Sequence, residues 1–99
     1  MFVLPLARLD ILDAVDWHED QRPGLGLEMS EQVEAAIHRA AQNPWRFAVV
    51  EGTTRRALCR RFPYAVFFEV DGARLVVLAV THVRRDPIAW KSRTTPSTP

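Results

Sequence analysis

Apolar and polar positions along the chain alternate with two different periods. Over residues 7–20, Ala7, Ile11, Ala14, Val15 and His18 share one arc at 100° per residue. Asp10, Asp13, Asp16 and Asp20 share the opposite arc, so the segment predicts an amphipathic helix with a solvated acidic face. It breaks at Gln21-Arg22-Pro23-Gly24-Leu25-Gly26, where Pro23 disfavours helical geometry for Arg22 and the glycines permit a reversal. A second helix is predicted over residues 27–42. Met29, Val33, Ala36, Ile37 and Ala40 form its stripe, Glu31, Glu34 and His38 lie outside it, and Asn43-Pro44 stops it. Two amphipathic helices joined by so short a loop form an αα-hairpin, and each needs an apolar surface to cover.

The second half of the chain supplies that surface with period-2 segments. Strands are predicted over residues 46–50, 56–60, 64–70 and 74–81, and the apolar run at residues 2–5, ending in Pro5, fits an edge strand. Asp71-Gly72 is a two-residue hairpin signal that sets Val70 against Ala73, Glu69 against Arg74, Phe68 against Leu75 and Phe67 against Val76. That register puts Tyr64, Val66, Phe68, Leu75 and Val77 on one face, and Phe67, Val76, Leu78 and Val80 on the other. A hairpin apolar on both sides is central in its sheet, with helices on one face and a partner on the other. The fold class expected is α+β, a two-helix hairpin packed on one face of a mostly antiparallel sheet of about four strands.

Length and composition narrow the picture. Ninety-nine residues, 47% apolar and 25% charged, suit one globular domain, here residues 1–93. Residues 94–99 have nothing to bury and are expected to be disordered. One cysteine, Cys59, excludes an internal disulfide and a cysteine zinc cage. The lone thiol, a start without the basic region of a signal peptide and no apolar run of roughly 20 residues together point to a cytoplasmic protein off the membrane. The net charge of +1 hides an asymmetry. Residues 1–38 hold two basic groups against eight acids, −6, whereas residues 39–93 hold eleven against four, +7. A basic surface on the C-terminal half follows, serving either as a binding face or as the counter-charge to the helices.

Several motifs then fall in a recognisable order. They are Trp17-His18-Glu19-Asp20-Gln21-Arg22-Pro23-Gly24-Leu25-Gly26, Asn43-Pro44, Arg61-Phe62-Pro63-Tyr64 and His82-Val83-Arg84-Arg85-Asp86-Pro87-Ile88-Ala89-Trp90. Over roughly residues 2–93 the chain resembles the RelE/ParE toxin superfamily. The resemblance implies the toxin of a bacterial type II toxin–antitoxin pair, silenced by a co-expressed cognate antitoxin. RelE-like members cleave mRNA on the ribosome, ParE-like members inhibit DNA gyrase by binding, and a degenerate member binds its antitoxin alone. The RelE-like reading comes first here. Arg84 sits where RelE-like toxins keep a catalytic arginine, six residues before Trp90, and Arg60 or Arg61 matches an arginine one strand earlier.

RNA cleavage needs a base for the 2′-hydroxyl, charge to hold the phosphorane and an acid for the leaving oxygen. Arg60, Arg61 and Arg84 offer guanidinium forks for phosphate, and His82, which the hairpin register puts on the face of Phe67, Val76 and Leu78, is the candidate general acid or base. Arg85 and Lys91 add charge for RNA, and Trp90 offers a ring on which a base can stack. The alternatives remain a solvated basic edge and a structural histidine. His18 is expected in the core, His38 in solvent, Glu51 in a loop, and Cys59 as a buried structural thiol. No metal spacing and no phosphate-cradling loop appear, so no cofactor and no metal is implied. The antitoxin is expected on an open apolar floor of Phe67, Val76 and Leu78, rimmed by Arg60, Arg74, Arg84 and Arg85.

Overall fold

In the computed structural model, which describes residues 1–84 and Arg93, two helices pack on one face of a five-stranded sheet. The order along the chain is β1 (Phe2–Val3), α1 (Pro5–Gln21), α2 (Leu25–Gln42), a 3-10 turn (Pro44–Arg46), β2 (Val49–Glu51), β3 (Thr54–Leu58), β4 (Tyr64–Asp71) and β5 (Arg74–His82). In space the strands run β1-β5-β4-β3-β2. β1 is parallel to β5 and the other pairs are antiparallel. The α+β expectation holds, with one strand more than expected.

Several boundaries move for local reasons. Pro5 opens α1 rather than closing a strand, because in a first turn its missing N–H leaves nothing unsatisfied. Arg22 leaves helical geometry ahead of Pro23, at φ −161°. α2 begins at Leu25 because Gly26 belongs inside the helix crossing. A Cβ there would lie 2.8 Å from the Val15 carbonyl oxygen and 2.9 Å from Glu19 Oε1. The Glu19 carboxylate fastens this corner, accepting from the backbone N–H of Gly24 at 3.1 Å and of Gly26 at 3.0 Å. The segment predicted as a strand over residues 46–50 is mostly the 3-10 turn and its exit, with only the end of it in β2. β3 starts two residues earlier than expected and stops at Leu58, so Arg60 lies beyond the strand in the loop.

Met29, Val33, Ala36, Ile37 and Ala40 of α2 meet Ala57, Val66, Phe68, Leu75, Val77 and Val80 of the sheet in the main core. This is the stripe the sequence outlines, and it covers the face containing Phe68.

The β4–β5 hairpin departs from expectation twice. Its turn is Gly72-Ala73, giving Asp71↔Arg74, Val70↔Leu75, Glu69↔Val76 and Phe68↔Val77. An Asp71-Gly72 turn of type I′ requires positive φ at both central residues. Shifting by one leaves the positive φ, +63°, on Gly72 at the first central position. Further along, Phe67 pairs with Ala79 while Phe68 pairs with Val77, so Leu78 is an extra residue on β5. A one-residue bulge reverses the in–out parity of everything after it. Val80 therefore joins the helix-facing core, and His82, opposite Tyr64, comes round to the helix side rather than sharing a face with Phe67.

The expected open apolar floor is not open. Phe67, Val76 and Leu78 are 7%, 6% and 0% exposed. An irregular register between Val49 and Glu51 of β2 helps bring Val50 against Phe67, Ala65 and Ala79. Arg74, placed on the rim of that floor, instead sits at the tight turn, 3.6 Å from Asp71 and with its guanidinium carbon 5.5 Å from the Phe2 ring centroid. That is the opposite end of β5 from His82.

β1 is too short to cover all of β5. Leu4 N–H still reaches the Val77 carbonyl at 3.0 Å, after which the chain turns into α1. Past that point two side chains replace the missing strand. Asp10 Oδ2 accepts from Val80 N–H at 3.0 Å, and Arg93 Nη1 donates to the Leu78 carbonyl at 3.3 Å. The two close on each other at 2.6 Å, Nη1 to Oδ2. A carboxylate–guanidinium pair thus presents the edge with one acceptor and one donor, as a strand backbone does. Asp10, assigned to the solvated arc, is 12% exposed at its side chain.

Candidate functional site

The residues proposed for chemistry gather where β3 ends, β4 begins and β5 ends. Cys59 N–H donates to the Tyr64 carbonyl at 2.8 Å, Tyr64 N–H to the Phe62 carbonyl at 2.8 Å, and Val83 N–H to the Pro63 carbonyl at 2.9 Å. These bonds and the buried Phe62 ring fix the loop over residues 59–63 beside His82 and Arg84. Arg61 takes φ +70° there, a left-handed geometry costly for a residue with a Cβ.

Within this cluster the side chains diverge. Arg61 Nη2 lies 3.7 Å from Glu28 Oε1 on α2, and Arg22 Nη2 lies 3.1 Å from Glu28 Oε2. Arg60 and Arg84 are exposed, and neither guanidinium makes a hydrogen bond or ion pair among the described residues. His82 is half-buried. Its Nδ1 accepts from the Arg84 backbone N–H at 3.1 Å, so a neutral ring carries its hydrogen on Nε2, and the ring stands edge-on to Tyr64 at 5.4 Å. Arg85, Trp90 and Lys91, assigned to RNA, lie outside the described residues.

His82 instead lines a half-open cleft of about 710 Å³ between α1 and the ends of β4 and β5. Asp10, Asp13, Trp17 and His18 come from α1, with Pro63, Tyr64, Val80, Thr81 and His82 opposite. His18 is buried as expected. Its Nδ1 must donate to the Ala14 carbonyl at 2.6 Å, since that oxygen only accepts, and its ring stands edge-on to Trp17, Phe62 and Tyr64 at 4.9–5.6 Å. Asp10, Asp13 and Trp17 escape a reading of the helical wheel that treats the acidic arc as solvent-facing. The available signal was the presence of Leu6, Leu9 and Trp17 on that same arc.

Cys59 is half-buried, and burial pushes its thiol up to about 11 against the opposing pull of Arg39. It stays protonated at neutral pH and is no nucleophile. Among the described residues no group of three or more His, Cys, Asp or Glu is placed to hold a metal ion, and no helix is long and apolar enough to cross a membrane.

No family model matches the sequence, and no curated protein matches it. A chain from a solved structure described as "Chromosomal ParDE TA system from P. aeruginosa" matches in three dimensions with a TM-score of 0.72. The two share 17% identity, over 83% of this chain and 95% of that one. At that identity the likeness is one of fold.

Proposed function

We propose that this chain is the toxin of a bacterial type II toxin–antitoxin pair, and that it acts by binding its target, as ParE-like toxins do on DNA gyrase. The fold likeness to a chain of a ParDE toxin–antitoxin system supports the first part, together with the ordered motifs between Trp17 and Trp90. One observation carries the second. His82, the group suited to proton transfer, faces α1 and Tyr64, and among the described residues no guanidinium bonds to its ring or stacks on it. Cleaving RNA requires proton transfer and phosphorane stabilisation at one phosphate, whereas surface inhibition requires only an exposed, charged contact such as Arg60 and Arg84 offer.

The RelE-like reading keeps one observation in its favour: Arg60, Arg61, His82 and Arg84 come from a single end of the sheet. Catalytic contacts that are long in a free enzyme tighten around substrate. Two assays run side by side separate the readings. Under the binding reading, purified protein inhibits gyrase supercoiling while cell-free translation continues. Arrested translation with normal supercoiling, lost on Arg84→Ala, would overturn it in favour of mRNA cleavage. Neither effect would reject a toxin of either kind, and an acidic antitoxin that still binds would then mark a degenerate member.

A further inference from the structure

The cleft beside α1 has an electrostatic character opposite to that of the basic half of the chain. Asp10 and Asp13 stand one helical turn apart on its α1 wall, and Trp17, His18, Tyr64 and His82 supply rings. Carboxylates beside aromatic faces are the chemistry that recognises a cation, and a planar guanidinium most of all, because it takes bidentate bonds at its edge while stacking through its face.

The molecule already demonstrates this preference at one end of the cleft. The Arg93 guanidinium bonds to both oxygens of Asp10, Nη1 to Oδ2 at 2.6 Å and Nη2 to Oδ1 at 3.4 Å. One turn further on, Asp13 is exposed and has no partner among the described residues, and Trp17 beside it is also exposed. The surface does not end with the cavity. Leu6 and Leu9 lie on the same arc of α1 as Asp10, Asp13 and Trp17, and both are exposed. An apolar stripe extending two turns from a pair of carboxylates exceeds what a small cation needs and matches a peptide segment with alternating basic and apolar groups.

We infer that the acidic, aromatic-walled cleft of α1 is a docking site for an arginine-bearing amphipathic peptide segment, its guanidinium between Asp13 and Trp17 and its apolar side chains on Leu9 and Leu6. The cleft shares Pro63, Tyr64 and His82 with the basic end of the sheet, but the proposed contacts, Asp13, Trp17, Leu9 and Leu6, all lie on α1, and the proposal does not depend on the toxin reading.

The test uses the full chain and a fluorescein-labelled short helical peptide carrying arginine and leucine one turn apart, followed by anisotropy. Asp13 is exposed and makes no bond among the described residues, so Asp13→Asn is expected to fold normally, which circular dichroism checks. It should weaken the peptide about tenfold, as should Trp17→Ala. Glu34→Gln, an equal change of charge on the exposed face of α2, should leave affinity unaltered. Glutamine in place of the peptide's arginine should abolish binding, and added salt should weaken it. Equal affinity for Asp13→Asn and the parent chain, or for Glu34→Gln and Asp13→Asn, would overturn the site. So would a self-associating chain whose dimer is lost on Asp13→Asn while the peptide does not bind, since the occupant would then be a second copy.

Discussion

The two helices are close in length, 17 and 18 residues, and lie side by side, yet they use their sequences in opposite ways. α2 buries Gly26, Met29, Val33, Ala36, Ile37 and Ala40, a continuous stripe with bulky members. α1 fully buries only Ala7, Ala14 and His18 and sets Ile11 and Val15 partly buried against the core, whereas Leu6, Leu9, Leu12 and Trp17 are 51, 53, 57 and 59% exposed. α1 adds to a narrow apolar contact through Ala7, Ile11, Ala14 and Val15 a set of polar fastenings: Asp10 to the β5 edge, Glu19 to the start of α2, and Arg93 across Asp10. A helix held this way needs little apolar surface for its own folding, which leaves its leucines for another molecule. The hairpin divides its labour, α2 toward the core and α1 toward recognition.

The sharpest way to break that comparison is to remove bulk from the α2 stripe. Met29 is fully buried against the sheet, so Met29→Ala loses both transfer free energy and packing, and should cost about 2–5 kcal/mol. Urea unfolding measures it. A loss below about 1 kcal/mol would mean that the core closes around the gap and that α2 is not the principal apolar support.

Next in size is the polar fastening of α1. Asp10→Asn keeps the shape but removes the charge opposite Arg93, whose side chain is only 15% exposed. An amide oxygen can still accept from Val80 N–H or from Arg93, but with less strength than a carboxylate. A loss of about 1–3 kcal/mol is expected by the same unfolding measurement, with thermal unfolding showing the same order of variants. A neutral result would show that α1 is retained by something other than its bonds to the β5 edge.

What could be read from sequence follows the same division. The α2 stripe was legible because five apolar positions repeat at helical spacing, with Leu27 the one bulky apolar residue of the predicted helix off the stripe. The β4–β5 pairing was legible because Gly72 marks its turn, although the one-residue shift came from which residue takes positive φ. The bulge at Leu78 was not legible. Residues 75–80 are apolar without a break, so no polar position marks the change of parity, and His82 was consequently assigned to the wrong face. The floor of Phe67, Val76 and Leu78 is buried rather than open, and two apolar faces on a hairpin do not reveal how much of either the rest of the chain already covers. Asp10 was beyond sequence reasoning for a different reason. Leu6, Leu9 and Trp17 mark its arc as more than solvent-facing, but its partners, Val80 and Arg93, are 70 and 83 residues away and no local pattern names them.

The smallest expected effect is the one that sharpens the contrast most. Leu9 occupies the same kind of helical position as Met29, but on the outward arc of α1, and more than half of its surface meets solvent. Leucine and glutamine have nearly equal helix propensity, so Leu9→Gln isolates the burial contribution from the backbone. Stability should change by no more than about 0.5 kcal/mol, the range of surface substitutions away from special features. A loss near that of Met29→Ala would mean that the free protein already covers this arc, and that α1 is a second core helix rather than a recognition surface. If stability holds, Leu9→Gln should still weaken the arginine-bearing peptide, because the apolar stripe is then lost only to the partner. A folded, stable variant that binds less well is the outcome that separates a helix built for the core from one built for a guest.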